Sequence, residues 1–372
     1  MKFECVKDKL QKAVGLGERA TGKKLPLAIL GKILIEAKDK EITVRATNLD
    51  LAVEMTVPAK VSKKGTVAIS GSLIESYLGS LPPQTTVTVE LVGNNLSLTT
   101  PSTSVLVATT SAEDFPNTPE LNKKDLLGEI SSLSSELLTG LNSVMFSASL
   151  SDIKPELAGV YLYQDGEDLV FAATDSFRLA EKRIHNKKKP SGDDLPGIIV
   201  PLRNAQELAR ALADAEGVVG LSFNKSELGV KAEGWHFRSR LVEGAFPAYS
   251  ALLPKSFATQ VVSLKEDLLG ALRTTHVFAD RFHQVSIKVI PDDALFEIQT
   301  KNQEVGESTV RVDATIEGDS LDINLNGRFL LDGLSVVNKD SVTLGFNSKD
   351  KPMLVRGVGD RSFSYLVMPL NK

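Results

Sequence analysis

One pattern recurs three times along the 372 residues, and this repeat constrains the fold more than any other feature of the chain. A self-similar chain of this length folds as copies of one unit, not around a single core. Every copy opens with a strand and a helix. Leu133, Leu137, Leu138 and Leu141 in the second copy match Leu264, Leu268, Leu269 and Leu272 in the third, and offsets of four, five and eight residues line one helical face. Val6, Leu10 and Val14 follow more loosely in the first copy, and Ser263 with Glu266 supplies a capping-box start in the third.

A hairpin-like strand pair comes next in each copy, with polar turns at Lys38 to Lys40, Gln164 to Glu167 and Pro291 to Asp293. A second helix follows, entered from a strand. Leu73, Ile74, Tyr77, Leu78 and Leu81 share their spacing with Phe329, Leu330, Gly333, Leu334 and Val337, and Ala205, Leu208, Ala209 and Leu212 are similar. Three more strands close each copy, at "AEDFP", "EGAFP" and "YLVMPL". The expected domains are therefore 1–121, 126–250 and 259–372, each α+β, with two helices packed on one face of a mainly antiparallel sheet. Such an array leaves unpaired strand edges at both ends. Head-to-tail pairing with a second copy would close it into a ring.

Composition excludes several classes. No apolar run approaches the roughly 18 residues needed to cross a bilayer, and the charged start "MKFECVKDKL" lacks a signal peptide's apolar region, so a cytoplasmic protein is expected. A lone cysteine, Cys5, forms no intramolecular disulfide and reads as a small buried hydrophobe. "GLGERATGKK" imitates a P-loop and a dinucleotide fingerprint, but it trails a helix, and Lys24 stands where a magnesium-binding hydroxyl belongs. The plain reading is a Gly-rich basic loop. A nucleotide-dependent enzyme using this segment stays as an alternative, as does a peptide-binding repeat scaffold that ignores DNA. His185, His236, His276 and His283 show no zinc-ligand spacing, so no metal site is expected.

The net charge of −4 argues against a protein that coats nucleic acid with its whole surface, but not against a local basic strip. "HNKKKP", with Lys187 to Lys189, reads as a solvated loop. Lys7, Lys9, Lys12, Arg203, Arg210, Arg273 and Arg328 stand beside the apolar stripes of four helices. If those helices face one axis, these side chains line it against phosphates without reading sequence, and Glu75, Glu207 and Asp332 weaken the hold.

"LAILGKILIEA", "ATNLDLAVEM", "ATDSFRLA", "RLVEGAFPAYSALLP" and "SYLVMPL", in this order and spacing, resemble the bacterial sliding-clamp family, the beta subunits of the replicative DNA polymerase III, over essentially the whole chain. The resemblance implies a head-to-tail homodimer forming a six-domain ring around double-stranded DNA, with no catalytic residues and no cofactor. It implies as partners the replicative polymerase, a clamp loader, and repair polymerases carrying a clamp-binding peptide. By motif, the peptide pocket would comprise Leu157, Thr174, Ser176, Phe177, Arg178, Leu179, Pro247, Ala251, Leu252, Leu366, Met368, Pro369 and Leu370. Core packing is the alternative for Leu157, Leu179 and Leu366. The loop "GKKLP" carries over Lys23 and Lys24 as DNA contacts, beside Lys12, Arg203, Arg210 and Arg273 on the helices. The family commonly has Gly-His or Gly-Tyr at Ser176-Phe177, often an arginine at Ala251, and often a terminal arginine where Asn371 and Lys372 stand. These departures bear on peptide preference. A chain that stops just after Met368-Pro369-Leu370 would leave its end free as a pocket wall.

Overall fold

The computed structural model describes residues 1–22, 27–117, 121, 123–186 and 196–370. The first repeat runs β1 (Lys2–Val6), α1 (Lys7–Ala20), β2 (Ile33–Lys38), β3 (Glu41–Thr47), β4 (Leu51–Pro58), β5 (Lys60–Lys63), β6 (Gly65–Ile69), α2 (Gly71–Ser80), β7 (Thr86–Val92), β8 (Asn95–Thr99) and β9 (Ser104–Ala108). The second runs β10 (Gly128–Leu133), α3 (Ser134–Val144), β11 (Gly159–Asp165), β12 (Asp168–Thr174), β13 (Arg178–His185), β14 (Ile198–Pro201), α4 (Leu202–Ala213), β15 (Val218–Phe223), β16 (Glu227–Ala232) and β17 (Trp235–Arg240). The third comprises β18 (Thr259–Leu264), α5 (Lys265–His276), β19 (Gln284–Ile290), β20 (Leu295–Asn302), β21 (Gly306–Arg311), β22 (Ala314–Gly318), β23 (Leu321–Asn326), α6 (Gly327–Val336), β24 (Ser341–Phe346), β25 (Met353–Gly357) and β26 (Phe363–Val367). No described helix is long and apolar enough to cross a membrane.

Repeat boundaries are not sheet boundaries. One compact unit, Met1–Leu137 with Gln206–Leu241, holds a five-stranded sheet, β5-β1-β7-β8-β9, and an eight-stranded sheet, β10-β15-β16-β17-β4-β3-β2-β6. In the larger sheet the first and second repeats join edge to edge where β17 meets β4, with Phe237 opposite Val53 and Ser239 opposite Leu51. The other unit holds a nine-stranded sheet, β14-β11-β12-β13-β26-β25-β24-β18-β22, and a four-stranded sheet, β21-β20-β19-β23. There the second and third repeats join where β13 meets β26. Both junctions are antiparallel. Pairing each repeat's edge with the next removes strand ends that would otherwise template aggregation.

Side-chain alternation divides the nine-stranded sheet into two apolar faces. Phe171 and Tyr365 point to the helical side, where they are fully buried. A β-carbon on Gly140 of α3 would overlap the Phe171 ring, and one on Gly333 of α6 would overlap Tyr365, so both helices lie on the sheet at glycine-only distance. Their sequence neighbours Ala172 and Leu366 face the other way. With Leu179, Leu354 and Tyr249 they form a second cluster, against which Tyr161, Tyr163, Phe246, Leu253 and Phe257 pack. The connector after β17 therefore covers the sheet's non-helical face.

Several local expectations are corrected. Leu133 and Leu264 end their strands exposed, because each helix begins one residue later. Ser263 does not cap α5: its hydroxyl donates to the Asp313 carbonyl at 2.9 Å, and Leu264 occupies the N-cap without a side-chain bond. The capped helix of that repeat is α6, where Asn326 accepts from the Arg328 and Phe329 amides at 3.0 and 3.1 Å. Gly15 and Gly17 lie inside α1, not in a loop. A β-carbon on Gly17 would stand 3.2 Å from Ile33 and 3.4 Å from Val44, so close helix–sheet packing explains it. Leu73 is exposed, and the α2 core face is Ile74 and Leu78. Lys7 is buried beside Asp8 at 3.3 Å and is no part of a basic surface.

Candidate partner-binding site

The turn between β12 and β13 is built by side chains bonding back to the main chain. Thr174 donates its hydroxyl to the Arg178 carbonyl at 2.6 Å, and Asp175 accepts from the Phe177 and Arg178 amides at 2.9 and 3.0 Å. Ser176 is thereby held at φ 78°, where a residue with a β-carbon is strained, and its neighbour Phe177 is left 62% exposed. The turn between β3 and β4 repeats this design. Thr47 bonds the Leu51 carbonyl, Asn48 accepts from Asp50 and Leu51, and Leu49 sits at φ 79°. The sequence match between "ATNLD" and "ATDSF" therefore records a shared turn.

Around this turn the structure assembles most of the residues expected there. Leu179 lies opposite Leu366 across β13 and β26, and the Met368 amide donates to the Phe177 carbonyl at 2.8 Å. Phe177 and Met368 are exposed, whereas Leu179 and Leu366 are buried with Tyr249. Pro247, Ala251 and Leu252 are exposed on the connector, and the Leu252 amide donates to the Tyr249 carbonyl at 2.8 Å. Leu157 is buried in a 3-10 turn, Pro155–Leu157, just before β11. The register that sets Tyr161 against Ala172 runs on towards Thr174, bringing that turn to the same end of the sheet. Pro369 and Leu370 are half-buried, and the Leu370 amide is fixed on the Asn324 carbonyl at 2.8 Å. Asn371 and Lys372 lie outside the described residues.

Arg178 has a use that spacing did not reveal. Its guanidinium donates to Asp175 at 3.0 Å and to Asp332 of α6 at 2.6 Å, lies 4.3 Å over the Phe329 ring, and reaches Phe146 at 5.6 Å. Burial opposes the charge, but the Asp332 bond, Tyr365 and Asp175 outweigh it and raise the pKa. Phe146 in turn packs on Tyr365 at 5.3 Å, and the Tyr365 hydroxyl donates to the Phe329 carbonyl at 2.9 Å. Arg178 is thus a strut between β13 and α6 at the junction of two repeats. Asp332, read from sequence as a charge that weakens a basic lining, is its partner. Phe146, Tyr249, Phe329 and Tyr365 are further side chains that the motif comparison missed. Tyr249 and Tyr365 carried a signal, as tyrosines inside "FPAYSALLP" and "SYLVMPL", and Phe329 stood in the apolar stripe of its helix.

The basic side chains are more dispersed. Lys12 on α1 bonds the Asp214 carbonyl at 3.1 Å, Arg19 pairs with Glu207 at 3.4 Å, and Arg210 also pairs with Glu207, one turn back along α4. Arg203 is exposed on α4, and Arg273 and Arg328 are exposed on α5 and α6. Lys23, Lys24 and Lys187 to Lys189 lie outside the described residues. A separate cleft of about 500 Å³ in the first unit is lined by Arg45, Glu54, Lys231, His236 and Arg238. Its arginines are already paired, Arg45 with Glu54 at 2.5 Å and Arg238 with Glu227 at 2.6 Å, and among the described residues its lining has no exposed large apolar side chain.

Family profiles match three successive stretches: the N-terminal domain of the DNA polymerase III beta subunit at residues 1–119, its central domain at 133–248 and its C-terminal domain at 250–371. The beta sliding clamp of Synechococcus elongatus is 27% identical over 375 residues, covering 100% of this chain and 99% of the relative. That of Streptomyces coelicolor is 25% identical, with the same coverage. The crystal structure of the Thermotoga maritima DNA polymerase III beta subunit superposes with a TM-score of 0.93 at 22% identity, over 100% of this chain and 99% of that one. A Pseudomonas aeruginosa sliding clamp bound to griselimycin superposes with the same score at 24% identity, over the full length of both chains. Three clamp domains in order, matched end to end, place this chain in the DNA polymerase III beta subunit family, the non-catalytic sliding clamps that serve DNA replication.

Proposed function

We propose that two copies, each with domains 1–121, 126–250 and 259–372, close head to tail into a cytoplasmic ring around double-stranded DNA. The observation that carries this reading is a pair of open sheet edges. Strand β9 ends the five-stranded sheet with Leu106 67% exposed, and β21 ends the four-stranded sheet beside Val305, 59% exposed. Pairing β9 of one copy with β21 of the next would satisfy both edges and repeat the edge-to-edge joining already used inside the chain. Within the ring, Lys12, Arg203, Arg210 and Arg273, with Lys23 and Lys24, would meet phosphates. Their neighbouring carboxylates Glu207 and Asp214 keep the hold loose enough for sliding.

The residues around Phe177, Leu252 and Met368 form the pocket for an apolar-anchored peptide of the replicative polymerase, the clamp loader or repair polymerases. A ring cannot leave DNA sideways, so a tethered polymerase sees a high effective concentration of template with little affinity for any one site. Solution mass gives the first test, since a stable monomer cannot be a closed ring. The second is retention after loading. The ring stays on circular DNA through a salt rise from about 50 to 200 mM, which strips contact-only binders, and is lost on linearisation. Equal release from both forms rules the reading out.

A further inference from the structure

Tyr249 sits in the middle of the exposed 247–252 segment, yet its own side chain is only 4% exposed. Its hydroxyl donates to Glu181 Oε2 at 2.6 Å, and the Tyr163 hydroxyl lies 3.0 Å away. A phenol has one proton; because Tyr249 gives its own to Glu181, Tyr163 is the donor of the second bond. Glu181 is 7% exposed on β13, two residues beyond Leu179 and so on the same face of the sheet. Its other oxygen is 3.6 Å from Arg183 Nε. Burial pushes the Tyr249 phenol up, and the Glu181 charge pushes it further, so Tyr249 remains a donor. The same residue accepts the Leu252 amide on its carbonyl and packs its ring against Leu179 and Leu366. Its side chain is thus fixed to the sheet, while its backbone carries the pocket wall.

We propose that the Tyr249–Glu181 hydrogen bond sets the position of the 247–252 wall over Leu179 and Leu366. Tyr249 and Glu181 are then positioning residues for the partner pocket that need not touch the ligand. The inference rests on the pocket reading above. Leaving a buried carboxylate without its donor is costly, so the wall shifts when the bond is cut.

The test titrates griselimycin, the molecule bound in the P. aeruginosa relative, into the full chain by calorimetry. Tyr249→Phe and Glu181→Ala each weaken binding about tenfold, the loss of one charge-assisted bond. The double variant binds no worse than either single one, because both cut the same bond. Glu181→Gln, which still accepts, stays within about threefold. Ile298→Ala, a core truncation in the four-stranded sheet, lowers the melting temperature but leaves affinity unchanged, which separates positioning from general destabilisation. Wild-type affinity in Tyr249→Phe, or additive losses in the double variant, overturns the proposal. Met368→Ala tells the two readings apart. If it loses binding while Tyr249→Phe does not, only the positioning role fails; if it and the wild type bind alike or not at all, the pocket reading fails and the proposal falls with it.

Discussion

Replacing Arg178 by alanine should separate a strut from a ligand contact. The Arg178 side chain is 12% exposed, and its guanidinium makes bonds of 3.0 and 2.6 Å to Asp175 and Asp332. Removing it does not orphan Asp175, which keeps the amides of Phe177 and residue 178 as donors, and Asp332, 37% exposed, can turn to water. The loss is therefore smaller than the 3–5 kcal/mol of a fully buried pair that loses one partner. Two charge-assisted bonds, discounted for that solvation, contribute about 2 kcal/mol. The cation–π contact 4.3 Å over Phe329 and the packed aliphatic stem add about 1 kcal/mol. The expected cost is thus roughly 3 kcal/mol. For a unit of this size it appears as a fall in melting temperature of about 6–12 °C by scanning calorimetry. Arg178→Lys keeps the charge but neither the fork nor the stacking, and should recover less than half. If Arg178→Ala instead melts within 2 °C of wild type while losing peptide affinity, the residue contacts ligand and the strut assignment is wrong.

Other perturbations follow from single observations. Ser176→Gly relieves the strain at φ 78° and should stabilise the chain by about 0.5 kcal/mol in urea unfolding, whereas Ser176→Val should cost 1 kcal/mol or more, on the order of the left-handed penalty. Gly333→Ala drives a β-carbon into the Tyr365 ring and should destabilise by about 1–3 kcal/mol; an unchanged denaturation midpoint would contradict the packing of α6. Burial pushes the Cys5 thiol up to about 12, against 9.0 unperturbed. Here the folded chain resists ionisation, so this group does not alter stability below pH 9 and removes stability above it, as the unfolded thiol ionises first. Thiol labelling at pH 9 should accordingly be slow and should track global unfolding.

Sequence and structure agree where a local rule is at work. "ATNLD" and "ATDSF" both encode a turn in which Thr and Asx bond their own backbone, and such bonds depend only on residues two to four apart. Phe177 and Met368 could be placed together from sequence only by resemblance, since the bond that joins them links residues 191 positions apart and closes only when β26 pairs with β13. Ser263 shows the reverse failure. Its spacing to Glu266 satisfies a capping rule, but the link just before β22, the strand paired with β18, offers the Asp313 carbonyl instead. Lys7 is buried for a similar reason: helical periodicity does not say which polar position a second element will cover.

By itself the sequence determined the three copies, their strand–helix order, most of their core faces and the two turns at the repeat junctions, because periodicity and turn chemistry act over a few residues. Only the tertiary structure decided that the sheets run across repeat boundaries, that Arg178 and Asp332 are partners, and that Tyr249 is anchored on Glu181. Each of those depends on which distant strand or helix supplies the opposing group. That choice minimises unpaired edges and unsatisfied charges over a whole sheet, and no short stretch of the chain carries it.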